Sequence, residues 1–190
     1  MLGGNFPNKS SLSSKLPKNP TELDSVFNYL IKTRGGTRKD WEYAINAIAW
    51  HETGGTMNPS IIQRSDDGRG PGEGLFQFEI SQFGGSNEAR TAVNRAVNFY
   101  KSQNQPVPGW IKDLYNSTGE IHFGKLPAEK QTQLFLINGI MKPGKIGMLL
   151  QGPEGISNYW VNHHWSGSSA LKDSELEKFT ASLQTYQQNR

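Results

Sequence analysis

Four glycines spaced two apart, Gly68, Gly70, Gly72 and Gly74, fall in a stretch that also holds Pro59, Pro71 and the pair Asp66–Asp67. A helix interior loses about 1 kcal/mol for a glycine and about 3 kcal/mol for a proline relative to alanine, so no helix passes through residues 56–74. On either side the chain reads differently, with apolar residues recurring at steps of three and four. A mainly helical fold interrupted by one irregular region is therefore expected. Long irregular segments in a compact domain usually serve function, which makes residues 53–85 the expected working surface.

Thr21 and Asp24 have capping-box spacing, and Leu23, Val26, Phe27, Leu30 and Ile31 follow at helical intervals until Gly35–Gly36 stops the pattern. The stripe Trp41, Ala44, Ile45 and Ile48 predicts a second helix over 38–52, with Gly54–Gly55 as its left-handed exit. Three more helices are predicted over 86–103, 127–142 and 174–188, the last opened by Ser174-x-x-Glu177. The short apolar run from Gly74 to Ile80 is the one strand candidate. Residues 1–19, interrupted by Gly3, Gly4, Pro7 and Pro17, read as a flexible polar arm, and 20–190 as one domain.

Composition narrows the chemistry. The chain contains no cysteine, which removes a disulfide framework, a thiolate zinc site and a cysteine nucleophile, and leaves packing to hold the fold. Its net charge is +3, without a Lys/Arg stripe, so nucleic acid is not an expected partner, while an anionic polymer is compatible. No stretch reaches the roughly 18 apolar residues of a transmembrane helix. The first residues lack the apolar run of about 7–15 that an export signal needs.

Glu52 is the residue most at odds with its position. The steps Trp41, Ile45, Ile48, Glu52 are four, three and four residues, so a carboxylate ends the stripe that packs inward. It also lies at a helix C-terminus, where the helix dipole disfavours an anion. Burial and dipole both oppose ionisation, which suits a general acid working near neutral pH. The plainer reading is an exposed, frayed helix end with Arg64 or His51 as partner. His51–Glu52 is not half of a zincin motif, because the second histidine position is Gly55.

Ala47-Ile48-Ala49 leading to Glu52-Thr53, a glycine-rich loop, and then Gly74-Leu75-Phe76-Gln77-Phe78-Glu79 together resemble the lysozyme superfamily, most closely goose-type lysozymes, soluble lytic transglycosylases and phage tail lysozymes. The stretch 128–139, with Gln131, Gln133, Leu134 and Phe135, is similar to the phage tail pattern as well. The resemblance implies a mainly α, α+β lysozyme-like fold, a helical domain with a small β region beside the active-site cleft. It implies cleavage of the MurNAc–GlcNAc β-1,4 bond of peptidoglycan, with Glu52 as the acid and no cofactor or metal. Asp67 and Glu79 fall where goose-type enzymes carry a second carboxylate, although Glu79 replaces an aspartate. Asp66 and Glu73 are further candidates.

On the predicted strand, alternation would put Leu75, Gln77 and Glu79 on one face and Phe76 and Phe78 on the other. Gln77 and Glu73, with Tyr159, His164 and Trp165 from the aromatic and histidine patch near the C-terminus, are then the expected substrate-binding residues. Each has a plainer reading: Asp66-Asp67-Gly68 as a turn, Glu73 as a solvated charge, Gln77 as an edge residue, the aromatics as core. The expected partners are glycan strands and, in a phage, other virion proteins. The expected place of action is the host cytoplasm before release to the wall, or a virion, without a signal peptide. Two alternatives stay open: a zinc amidase or endopeptidase using His51, His122, His163 or His164 with an aspartate, and an inactive virion or wall-binding protein.

Overall fold

The computed structural model describes residues 21–65, 68–142, 144–165 and 167–189. The arm expected over 1–19 and the two candidates Asp66 and Asp67 lie outside the described residues. Within them the chain is mainly helical, seven α-helices with one small antiparallel sheet of order β1-β2-β3.

The first two helices form where the sequence places them. Helix α1 (Glu22–Arg34) begins at a reciprocal capping box: Asp24 N–H donates to Thr21 Oγ1 at 3.2 Å and Thr21 N–H to Asp24 Oδ2 at 3.0 Å. Helix α2 (Arg38–Glu52) repeats the device with Thr37 and Asp40. Such caps contribute about 1 kcal/mol each by satisfying backbone donors that the helix leaves open. Trp41, Ala44, Ile45 and Ile48 are all buried, so the stripe leading to Glu52 faces the core.

Helices α3 (Glu88–Ser102) and α5 (Ala128–Ile140) match two further expectations within two residues at each end. Two eight-residue helices, α4 (Gly109–Asn116) and α6 (Gly152–Tyr159), were not expected; two turns are too short for a periodic pattern to stand out, and α6 carries two glycines. The last helix, α7 (Lys172–Gln188), starts before the predicted box. Its N-cap is Leu171, without a side-chain cap, and Ser174 lies already inside the helix.

The sheet corrects the sequence reading most. Strands β1 (Ile62–Ser65) and β2 (Gly68–Glu73) form a hairpin where a loop was expected. The strand expected over Gly74–Ile80 is instead a turn at 74–77 followed by the two-residue β3 (Phe78–Glu79). Gly74 at φ +78° and Gln77 at φ +46° reverse the chain through left-handed backbone. The strand glycines serve close approach: a Cβ on Gly70 would lie 2.9 Å from the Gln63 side chain.

Helix α5 is the axis of the core. Leu134, Phe135, Leu136 and Ile137 are buried around it, with α1 and α3 packed alongside, while α2 packs on α6 and α7. Phe76 from the turn stacks on Phe135 at 4.2 Å, and Phe78 lies on Phe123 at 4.3 Å. Burying each ring stabilises the fold by roughly 2–3 kcal/mol, and so roots the sheet in the helical body. Fully buried Gln131 adds a polar tie: its Oε1 accepts from Leu75 N–H at 2.7 Å, and its Nε2 donates to the carbonyls of Pro59 and Leu126, both at 2.8 Å.

The register gives the sheet two unlike faces. Ile62 pairs with Glu73 and Glu73 with Phe78, while Gly72 pairs with Glu79. Paired residues share a face and neighbours alternate. Ile62, Glu73 and Phe78 therefore look one way and Gly72 and Glu79 the other. Gln63 and Gln77 border Gly72, where a Cβ would come within 3.0 Å and 2.8 Å of their Oε1 atoms.

Candidate active site

Glu52 ends α2, and its side chain is 14% exposed. One element besides α2 reaches its carboxylate. Trp160 Nε1 donates to Oε1 at 2.5 Å, and His164 Nε2 lies 3.3 Å from the same oxygen. The same Nε2 is 2.9 Å from the Phe76 carbonyl in the turn of the sheet. A carbonyl oxygen only accepts, so Nε2 carries a proton and donates it to Phe76 O, with the Glu52 oxygen a near neighbour of the same ring nitrogen. Oε1 of Glu52 thus accepts from the Trp160 indole and has the imidazole beside it. Oε2 has no hydrogen-bond partner among the described residues.

The two donors come from one five-residue π-helical turn, Trp160–His164, that continues α6. Such turns are rare and frequent at functional sites, because the wider coil re-aims successive side chains. Phe179 of α7 stacks on the Trp160 indole at 4.9 Å, and His51 packs edge-on to it at 4.6 Å. Burial pushes the His51 imidazole below its ordinary value, against the pull of Glu52, so near neutral pH the residue beside Glu52 is an uncharged ring. His164 is held by Phe135, with ring centres 5.3 Å apart.

The other expected residues divide. Glu79, opposite Gly72 on the polar face, accepts from Ser86 N–H through Oε2 at 2.8 Å. Gln77 is in the turn and not on a strand; its Nε2 donates to Gly74 O at 2.8 Å and so braces the turn. Leu75, expected beside Gln77 on a cleft face, is core. Trp165 is half-buried against Trp160. Tyr159 is 2% exposed and stacked edge-on to Phe135, which leaves no surface for a sugar. His164 belongs to the Glu52 cluster. Of the five tryptophans, Trp41 and Trp160 are core and Trp50, Trp110 and Trp165 are half-buried.

Glu73 stands apart, on the other face of the sheet. It is 2% exposed and lines a cleft of about 690 Å³ together with Ile62, Arg69, His122, Lys125 and Leu126; Glu52 is not among its lining residues. Size favours this cleft as a reaction site, but its chemistry does not. Glu73 Oε1 is taken by Arg69 and by His122 Nδ1 at 3.0 Å, and Oε2 by Gly124 N–H at 3.3 Å. A buried carboxylate that meets three donors, one of them a guanidinium, is placed to hold its neighbours together.

Sequence reasoning named the Trp160 region but gave that residue no role, and it did not select Gln131 as a support. Both act across long separations, 108 residues from Trp160 to Glu52 and 56 from Gln131 to Leu75, where no local pattern signals a contact. Glu88, at the start of α3, was missed as well. Burial pushes its carboxyl above the ordinary value, while His164 and Lys142 nearby pull it down. Among the described residues no three of His, Cys, Asp and Glu converge as a metal site would require. Compared with family models, with curated proteins and with solved structures, the chain finds no match in any of the three.

Proposed function

We propose that the chain is a peptidoglycan muramidase of the phage type, with Glu52 as its general acid. One observation carries the reading: the mostly buried Glu52 carboxyl is held at Oε1 by the Trp160 indole N–H, with His164 beside it, and Oε2 has no partner among the described residues. A general acid needs this arrangement, a fixed carboxyl whose one presented oxygen holds the transferable proton. The sheet adds a polar face on which the Gln63 and Gln77 amides lie close over Gly70 and Gly72, side chains of the kind that bind hydroxyl-rich ligands.

In the reaction, Glu52 gives its proton to the glycosidic oxygen as the C1–O bond between MurNAc and GlcNAc breaks, and positive charge builds on the sugar ring. Closure then follows one of two routes. A water activated by a second carboxylate, Glu79 or Asp67, gives a reducing end; attack by the sugar's own 6-hydroxyl gives an anhydro end and needs no second carboxylate. Among the described residues no helix is long and apolar enough to cross a membrane, and we place the site of action at the bacterial wall, reached after release from the host cytoplasm or from a virion.

The test is mass spectrometry of muropeptides released from purified peptidoglycan by the wild type and by Glu52→Gln, which keeps the acceptor at one position and puts an amide in place of the acid. Release of reducing or anhydro ends that vanishes in the variant is the expected result. Cut stem peptides on intact glycan would point to the amidase alternative, and no release from either protein to a wall-binding or virion structural role.

A further inference from the structure

We propose that the cleft on the Glu73 face of the sheet is a second binding site, one that takes a short peptide through its carboxylates. Its floor is built and charged. Buried Glu73 holds Arg69 and His122, and Arg69 also lies over the Phe83 ring at 4.3 Å, so the guanidinium is fixed between an anion and an aromatic face. Only one of its five N–H donors is used by a described residue. His122 gives Nδ1 to Glu73, and Lys125 at the rim has no partner among the described residues. These groups around one internally neutralised carboxylate leave the cleft short of negative charge, and a guanidinium with open N–H groups matches a carboxylate.

Part of the lining is apolar: Pro59, Ile62, Leu126 and Pro127 belong to it, and Ile62, beside Glu73 in the register, is 41% exposed. A phosphate polymer has no use for such a lining, whereas the methyl groups of a peptide do. Gln131 bonds to both Pro59 and Leu126 and to the turn at Leu75, so this lining is tied to the segment whose next residue, Phe76, holds His164. Resting on the muramidase reading, the occupant is the stem peptide that muramic acid carries, rich in free carboxylates and alanine methyls.

Isothermal titration of the free stem pentapeptide into full-length Glu52→Gln protein tests this, because that variant retains the cleft and cannot turn over glycan. Binding is expected, weakened roughly tenfold or more by Lys125→Glu, since one charge-assisted hydrogen bond is lost and a repulsion added, and abolished when the peptide's carboxylates are amidated. Lys125 is exposed, so its substitution leaves the fold intact; Arg69→Gln, checked by circular dichroism, is the second variant and should also weaken binding. No binding, equal binding of the amidated peptide, indifference to Lys125→Glu, or preference for a polyol phosphate over the peptide overturns the assignment. Peptide binding by a protein whose wild type cuts no glycan sinks the muramidase reading and keeps the peptide site. Glycan cleavage without peptide binding does the reverse.

Discussion

Glu52 and Glu73 are both mostly buried carboxylates next to histidines, yet their surroundings suit them to opposite tasks. Glu73 is met by Arg69, His122 and a backbone N–H, and both oxygens are used. Glu52 is met by an indole N–H at one oxygen, with an imidazole 3.3 Å away, while the other oxygen is unpartnered among the described residues. Burial and a nearby histidine do not by themselves mark an active carboxyl. What separates the two is whether an oxygen remains for the substrate, and a carboxylate with none holds structure together.

The largest effect that sharpens this contrast is on rate. Glu52→Gln is expected to lower muropeptide release by about 10²–10⁴-fold, the usual share of general acid catalysis, with an unchanged thermal midpoint. Glu73→Ala is expected to do the opposite. Removing the anion that holds Arg69 and His122 should lower stability in urea unfolding by about 2 kcal/mol, with a much smaller change in the rate of the protein that stays folded. If Glu73→Ala abolishes cleavage while the fold survives, the division of labour drawn here is wrong.

Gly74→Ala strikes the turn between Glu73 and Phe76. The residue sits at φ +78° and an added Cβ would run into Gln131 Oε1, so a loss of about 2 kcal/mol is expected from backbone strain and the displaced amide, visible as a lower urea midpoint. Trp160→Phe keeps the stacking on Phe179 and removes the donor to Glu52. A fall of about tenfold in kcat with a shifted alkaline limb of the pH profile, the limb on which a general acid loses its proton, is expected, because a hydrogen bond to a charged acceptor contributes about 1.5 kcal/mol. A pH profile identical to the wild type's would mean that Trp160 serves packing alone.

The smallest expected effect concerns His51. Its imidazole lies below the ordinary value in the folded chain because of burial, so the unfolded chain binds more protons on acidification. Its contribution to stability is complete above the unfolded value of about 6.5 and is lost as pH falls through the folded value. His51→Gln should flatten the acid limb of a stability-against-pH curve measured by denaturant unfolding. An unchanged limb would assign that slope to other groups, of which His163, also lowered by burial and by Lys145, Lys142 and Lys172, is one.

Helix α2 shows what a sequence can carry: its cap, its stripe and its last residue are local, and each is readable from spacing. The sheet shows where that legibility stops. A glycine-rich segment has no side-chain pattern to give it a strand period, and of the three glycines of β2, Gly70 and Gly72 lie where Gln63 crosses close over them. The apolar run 74–80 looked like a strand because Leu75, Phe76 and Phe78 are buried, but their burial comes from packing on α5 and Phe123, and the backbone turns between them.

The sequence by itself determined the helical body, the inward position of Glu52 and the place of the break in the fold, since capping, periodicity and the backbone limits of glycine and proline act within a few residues. Only the tertiary structure decided which carboxylate keeps a free oxygen. That depends on Trp160 and His164 reaching Glu52, and on Arg69, His122 and Gly124 reaching Glu73. Apart from the Arg69 contact, these cross dozens of residues, and hydrogen bonds between such distant positions form only once packing has chosen which surfaces meet.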